Sequence, residues 1–247
     1  MLFCGRRPHK RDIVNITPCP LVLIPGFMLD ETLWQRFQTC LPAGWPVLHG
    51  ALSGGKTIRD IARHLAETLP PRFVLVGFSL GGYIARQLAA DYPQRVAALV
   101  LVASSLREDT EQQMASKQQA VQSLSAATFS GLSRTAIAGS LHPDRAADTA
   151  LIAAIRQMGN RLGYTALASQ SALRRADVPA AAIRCPTLVV AGAQDALRSL
   201  DEAQELTAAI AGATLQVLDG SGHMLPLEQP QALADTLVRW LNEQGID

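Results

Sequence analysis

The chain has 247 residues, 48% of them hydrophobic and 17% charged, which supplies a large apolar core, excludes a disordered chain and fits one α/β domain. A formal net charge of +1 and a pI of about 7.7 exclude the strong positive field that draws nucleic acid or an acidic membrane surface. Small-molecule chemistry is the class left open.

In chain order, the first feature is the basic run CGRRPHKRD. It lacks the apolar stretch of a secretory signal and reads, with the rest of residues 1–20, as a solvated segment. The four cysteines, Cys4, Cys19, Cys40 and Cys185, show neither a CxxC pair nor zinc-like spacing, so they read as reduced thiols in a cytoplasmic protein with no metal site. No apolar run reaches the roughly 20 residues of a membrane span.

Short runs rich in Val, Ile and Leu then alternate with helical periodicity. Strands are expected at 21–24, 46–49, 73–77, 96–103, 187–192 and 214–219, and helices at 31–40, 57–69, 80–92, 200–211 and 229–242. Continuous apolar strands suit a sheet covered on both faces, which gives a doubly wound, mostly parallel α/β fold. Residues 106–182 carry no strand signal. They hold helical stretches such as REDTEQQMASKQQAVQSL and DTALIAAIRQMGNRLGYTALASQSAL, and are too long for a loop. A helical cap is expected there, inserted after the strand that ends near Ala103, over the sheet edge where such folds bind ligands. The core is then residues 21–105 and 183–247.

Residues 50–57, GALSGGKT, match the spacing of a phosphate-binding loop, with WPVLH before them and the amphipathic TIRDIARHLAETL after them. The acidic strand end that such a site needs for magnesium has one candidate, Asp219. The plainer reading is a strand-to-helix turn, in which Lys56 is exposed and Thr57 starts a helix.

Stronger chemistry sits in FVLVGFSLGGYIARQLAADYP. An apolar strand passes directly into a helix through Gly77-Phe78-Ser79-Leu80-Gly81, the G-x-S-x-G nucleophile elbow. A serine needs a base, and the base an orienting acid. Of the five histidines, His9, His49, His64 and His142 fall in the basic segment, a strand end, a helix and the cap; His223, in DGSGHMLPLEQP, lies on a small-residue loop after the last strand. Asp195 follows the penultimate strand in TLVVAGAQD and completes the order Ser, Asp, His; Asp219, four residues before His223, is the competing acid. Two backbone N–H groups complete an oxyanion hole: that of Leu80, and that of Phe27 in LVLIPGFMLDETLW, where Gly26 lets the chain turn.

These segments resemble the capped α/β-hydrolase superfamily, in its compact esterase-like members, over roughly residues 20–243. The strongest matches are GFSLGGYIARQLAADYPQRVAALVLVAS, PTLVVAGAQD and GSGHMLPLEQPQALADTLVRWL. The resemblance implies Ser79 as nucleophile, Asp195 as orienting acid, His223 as base and the N–H groups of Phe27 and Leu80 as the oxyanion hole. It departs in carrying Pro25-Gly26 where many relatives have His-Gly, and in the short stretch before Leu21, which implies a smaller sheet. It also makes GALSGGKT a turn without a nucleotide.

The expected activity is hydrolysis of a small or medium-sized carboxylic ester through an acyl-enzyme, without cofactor or metal, by a monomer or homodimer. Thioester, lactone or carbon–carbon hydrolysis and peracid formation are alternatives with the same triad; a non-catalytic binding protein is the alternative of another class. Met28, Phe129, Met158 and Tyr164 are candidate pocket residues, although helical spacing equally suits core packing.

Overall fold

The computed structural model describes residues 18–246, so the basic run and Cys4 lie outside the described residues. Six strands form one sheet: β1 (Leu21–Ile24), β2 (Val47–His49), β3 (Phe73–Phe78), β4 (Val96–Val102), β5 (Thr187–Gly192) and β6 (Thr214–Leu218). Their order is β2-β1-β3-β4-β5-β6, and the expected mostly parallel sheet is parallel in all five pairings among the described residues.

Side chains alternate across the sheet, and each face buries its own apolar layer. Leu21, Leu23, Val74, Val76, Val100 and Val190 face one way, towards α1 (Gln35–Thr39) and α9 (Pro230–Glu243). Val22, Ile24, Leu75, Leu99, Leu101 and Val189 face the other, towards α2 (Ile58–Thr68), α3 (Leu80–Asp91) and α7 (Leu200–Ala208). The four inner strands are buried almost end to end, while the edge strands β2 and β6 are partly exposed. That is why their inner sequences are continuously apolar and Gln216 is tolerated in β6.

The chain winds from β1 to β2 on one side and then crosses to β3 on the other side of β1. Strand order reverses there, so the loops after β1 and β3 diverge and leave a crevice at their carboxyl ends. Phe27 and Ser79 lie on those two loops.

Between β4 and β5 the chain forms α4 (Glu111–Gln122), α5 (Arg134–Ala138), a 3-10 turn (Pro143–Arg145) and α6 (Thr149–Ser171), with no strand among the described residues. Thr110 and Gln113 close a capping box at the start of α4. α6 is not one straight helix: Gly163 has φ 78° and ψ 178°, a conformation restricted essentially to glycine. The expected helix at 31–40 is likewise divided, into a 3-10 turn (Glu31–Trp34) capped by Asp30 and the short α1. One element was not foreseen, the single turn α8 (Leu225–Glu228) just after His223.

Candidate active site

β3 is apolar on both faces and ends at Phe78, and α3 starts at once at Leu80. Ser79 is forced between them at φ 51° and ψ −114°, a backbone state costing about 1–3 kcal/mol for a residue with a Cβ. Close packing holds it there. A Cβ on Gly77 would come within 2.6 Å of the Gly81 carbonyl oxygen, and one on Gly81 would meet the carbonyl oxygens of Ile24 and Pro25. The first glycine lets the turn close; the second lets α3 abut the loop after β1. The Ser79 carbonyl accepts from the Gly82 N–H at 2.9 Å and from the Ser104 hydroxyl at 3.0 Å.

The Ser79 hydroxyl lies 2.9 Å from His223 Nε2, and His223 Nδ1 lies 2.8 Å from Asp195 Oδ2. The other carboxylate oxygen, Oδ1, accepts from the N–H groups of Leu197 at 2.8 Å and Arg198 at 2.9 Å. An ionised carboxylate only accepts, so Nδ1 carries the ring proton and Nε2 presents its lone pair to the serine hydroxyl. The Asp195 side chain is 1% exposed and the imidazole 6%, so the carboxylate charge is not diluted by water.

The loop bearing His223 is held by contacts that sequence reading missed. Buried Glu228, on α8, accepts from the N–H groups of Gly222 at 2.9 Å and His142 at 2.6 Å. The His223 N–H donates to the Ser140 carbonyl at 2.8 Å. A Cβ on Gly222 would collide with the Leu141 backbone, so the glycine of SGH lets the loop reach the 106–182 segment. Asp219 is turned elsewhere: its Oδ1 accepts from Gln194 Nε2 at 2.7 Å. That bond and the Gly220 N–H hold its carboxyl below the usual range.

The loop after β1 runs beside the serine. A Cβ on Gly26 would lie 3.2 Å from Ser79 Cβ, which sets the following Phe27 N–H next to the elbow. Among the described residues no hydrogen bond occupies the N–H of Phe27 or of Leu80. The next N–H, that of Met28, is committed to Gln170 Oε1 of α6 at 2.8 Å, and Met28 itself sits at φ 55°.

A cavity of about 370 Å³ opens over Ser79 and His223, at the small end of the range for small-molecule sites. Phe27 and Leu29 line it from the loop after β1 and Phe78 from the end of β3; Leu132 lines it just before α5, and Ala136 and Ile137 from α5. None of the four expected pocket residues is among its lining. Met28 and Phe129 bury their side chains together with Leu167, and Tyr164 packs against that cluster; Met158 belongs to the main core. They are core residues because α6 lies on the loop after β1 and uses its apolar side chains to stay there. The cavity instead takes charged side chains that the sequence reading passed over: Asp109, Lys117, Arg175 and Arg198. A larger groove, about 820 Å³, opens between Cys40–Pro42 and α9 and contains none of Ser79, Asp195 and His223.

In GALSGGKT the Thr57 hydroxyl accepts from the Asp60 N–H at 3.0 Å and caps α2, and Lys56 is exposed. Cys19, Cys40 and Cys185 are free thiols. Among the described residues no cluster of His, Cys, Asp or Glu could hold a metal ion, and no helix is long and apolar enough to cross a membrane.

A doubly wound sheet that delivers a strained serine, an acid and a histidine from three strand ends to one cavity has the form of an α/β hydrolase. Residues 55–230 match the family model described as alpha/beta hydrolase fold, and the chain belongs to that family. It is 30% identical over 242 residues to a pimeloyl-[acyl-carrier protein] methyl ester esterase of Aromatoleum aromaticum, a match covering 87% of this chain and 94% of the relative. Among solved structures it is similar to a thermophilic esterase of Thermogutta terrifontis, at 26% identity and TM-score 0.77 over 92% of this chain and 90% of that one. An enol-lactonase of Burkholderia xenovorans shares the fold, with TM-score 0.79 at 23% identity over 91% and 92% of the two chains.

Proposed function

We propose that the protein is a serine hydrolase that cleaves carboxylic esters of small or medium-sized molecules. The observation that carries this is the unbroken line from Asp195 through His223 to the Ser79 hydroxyl, at the floor of a cavity. His223 takes the proton as Ser79 adds to the ester carbonyl, and the carbonyl oxygen becomes an anion between the N–H groups of Phe27 and Leu80. The N-terminus of α3 also points at that charge. Collapse expels the alcohol, which receives the proton from His223. Water, deprotonated by the same histidine, then releases the acid. Asp195 holds the imidazole tautomer and stabilises the imidazolium.

In this reading residues 106–182 form a cap on a core of residues 21–105 and 183–247, supported by the cavity lining that the inserted helices supply. No cofactor, metal or nucleotide takes part, and the segment 50–57 serves as a turn. The free thiols suit a reducing compartment, so we place the enzyme in the cytoplasm, as a monomer or homodimer. Because the Aromatoleum relative is named for a methyl ester, methyl esters are the first substrates to try. Purified enzyme is expected to release methanol and the free acid from a series of short methyl esters, and Ser79→Ala to release neither. Equal turnover by the variant contradicts the proposal.

A further inference from the structure

The cavity over Ser79 is apolar where the sheet and α5 line it and cationic elsewhere. Lys117 comes from α4, Arg175 from the turn after α6 and Arg198 from the turn before α7, so three separated segments bring positive charge to one small space. Asp109 is shared by two of them: Oδ2 accepts from Lys117 Nζ at 2.5 Å and Oδ1 from Arg175 Nη1 at 2.8 Å. Arg198 pairs with Glu202 at 3.1 Å. Three cations therefore face two carboxylates. Asp195, next to Arg198, adds a third carboxylate charge, but its oxygens are taken by the imidazole and two backbone N–H groups and offer the cations no acceptor.

Arg175 is the best formed of the three. Its side chain is 8% exposed, its guanidinium lies 5.4 Å from the centre of the Tyr83 ring, and its buried Nε has no hydrogen-bond partner. A buried guanidinium that shares its carboxylate, Asp109, with Lys117 is stabilised by further negative charge. Below the same ring lies Arg86, 4.9 Å from its centre, which donates only to the neutral carbonyls of Val178 and Ser105. Burial pushes Arg86 down to about 10. Burial, then the neighbouring Arg175, pushes the Lys117 ammonium below its ordinary value in spite of Asp109. Counting Arg86, four cations share the three carboxylates Asp109, Glu202 and Asp195, so the region is short of negative charge.

We propose that Lys117, Arg175 and Arg198 form an anion subsite that takes a carboxylate carried by the substrate itself, on the part remote from the ester bond. This rests on the ester-hydrolase reading of the same cavity and narrows it: the substrates are half-esters of small dicarboxylic acids. The apolar wall of Leu132, Ala136 and Ile137 accommodates the chain between the two ends, and the cationic end disfavours uncharged esters, which bring no counter-charge to it.

Binding tests this without turnover. Monomethyl adipate and dimethyl adipate differ by one methyl group and one charge, and each can be titrated calorimetrically into Ser79→Ala. The half-ester is expected to bind about tenfold or more tightly than the diester, as a charge-assisted contact implies. Because Arg175 is built into the core and its loss threatens folding, Lys117→Met and Arg198→Gln are the variants of choice in the same background. Each is expected to shrink the preference several-fold, and the double variant to abolish it. Equal affinity for the two compounds, or a preference that survives the double variant, overturns the proposal. Release of methanol from monomethyl adipate by the wild type separates the two readings: turnover without a charge preference in binding removes the subsite alone, and a charge preference without any turnover removes the ester-hydrolase reading alone.

Discussion

At the scale of single residues, the acid is decided by which carboxylate faces the imidazole. Asp195 Oδ2 meets His223 Nδ1, whereas Asp219 is held by Gln194 in the turn between β6 and the histidine loop. Asp195→Asn replaces an acceptor by a donor towards Nδ1 and favours the wrong tautomer, so kcat is expected to fall by up to about 10⁴-fold with the melting temperature little changed. Asp219→Asn keeps an acceptor for Gln194 and should lose far less. Steady-state kinetics of both variants on one activated ester checks this, and a larger loss for Asp219→Asn reverses the assignment. The residues brought together here were legible because each belongs to a local motif whose small neighbours announce a tight turn: Gly77 and Gly81 around Ser79, Gly220 and Gly222 before His223. Glu228 was not legible, because a glutamate in LEQP reads as an exposed charge until α8 folds back on Gly222. Asp109, Lys117, Arg175 and Arg198 failed for the same reason, being scattered over 90 residues and united only in space.

At the scale of elements, α6 reaches the loop after β1 at two points. Gln170 Oε1 accepts the Met28 N–H at 2.8 Å, and Arg161 Nε donates to Asp30 Oδ2 at 2.7 Å. The first contact fixes the left-handed Met28 and so aims the Phe27 N–H that precedes it. Gln170→Leu leaves that N–H buried without a partner and frees the loop. Its expected effect is a fall in kcat on the order of 10–100-fold with a smaller change in KM, since an oxyanion donor acts in the transition state. A rise in KM alone would show that Gln170 serves the pocket and not the hole. The strands were read to within a residue at each end because buried parallel strands are continuously apolar and bounded by Pro or Gly. The helices were read less well where local strain decides them. Gly163 breaks α6 within an uninterrupted helical pattern, and the turn at Glu31–Trp34 tightens to 3-10 under the Asp30 cap.

At the scale of the molecule, the pair between Asp30 and Arg161 joins the inserted helices to the sheet and gives that junction a pH dependence. Burial opposes ionisation of Asp30, but hydrogen bonds from Arg161 and Thr32 outweigh it and hold the carboxyl below its ordinary value. A depressed folded-state value means stability that is present above the unfolded value of about 3.9 and is lost as pH falls through the folded one. Asn can still cap the Glu31–Trp34 turn, so Asp30→Asn isolates the charge. The variant is expected to melt a few degrees below wild type at pH 7, with the difference shrinking as pH falls below about 4 and closing only beneath the folded value. Thermal melts at pH 7 and through a series from about pH 4 downwards check it, and a deficit that stays constant over that series refutes the ion-pair account.

The whole architecture converges on one chemical claim: that Ser79, strained between β3 and α3 and hydrogen-bonded to His223, is the nucleophile. Intact-mass measurement after treatment with a fluorophosphonate tests it most directly, because the reagent needs both an activated serine and an oxyanion hole. A single adduct on the wild type, mapping to Ser79 and absent from Ser79→Ala, is the expected result. An unlabelled wild type, or an adduct of equal yield on Ser79→Ala, contradicts the account.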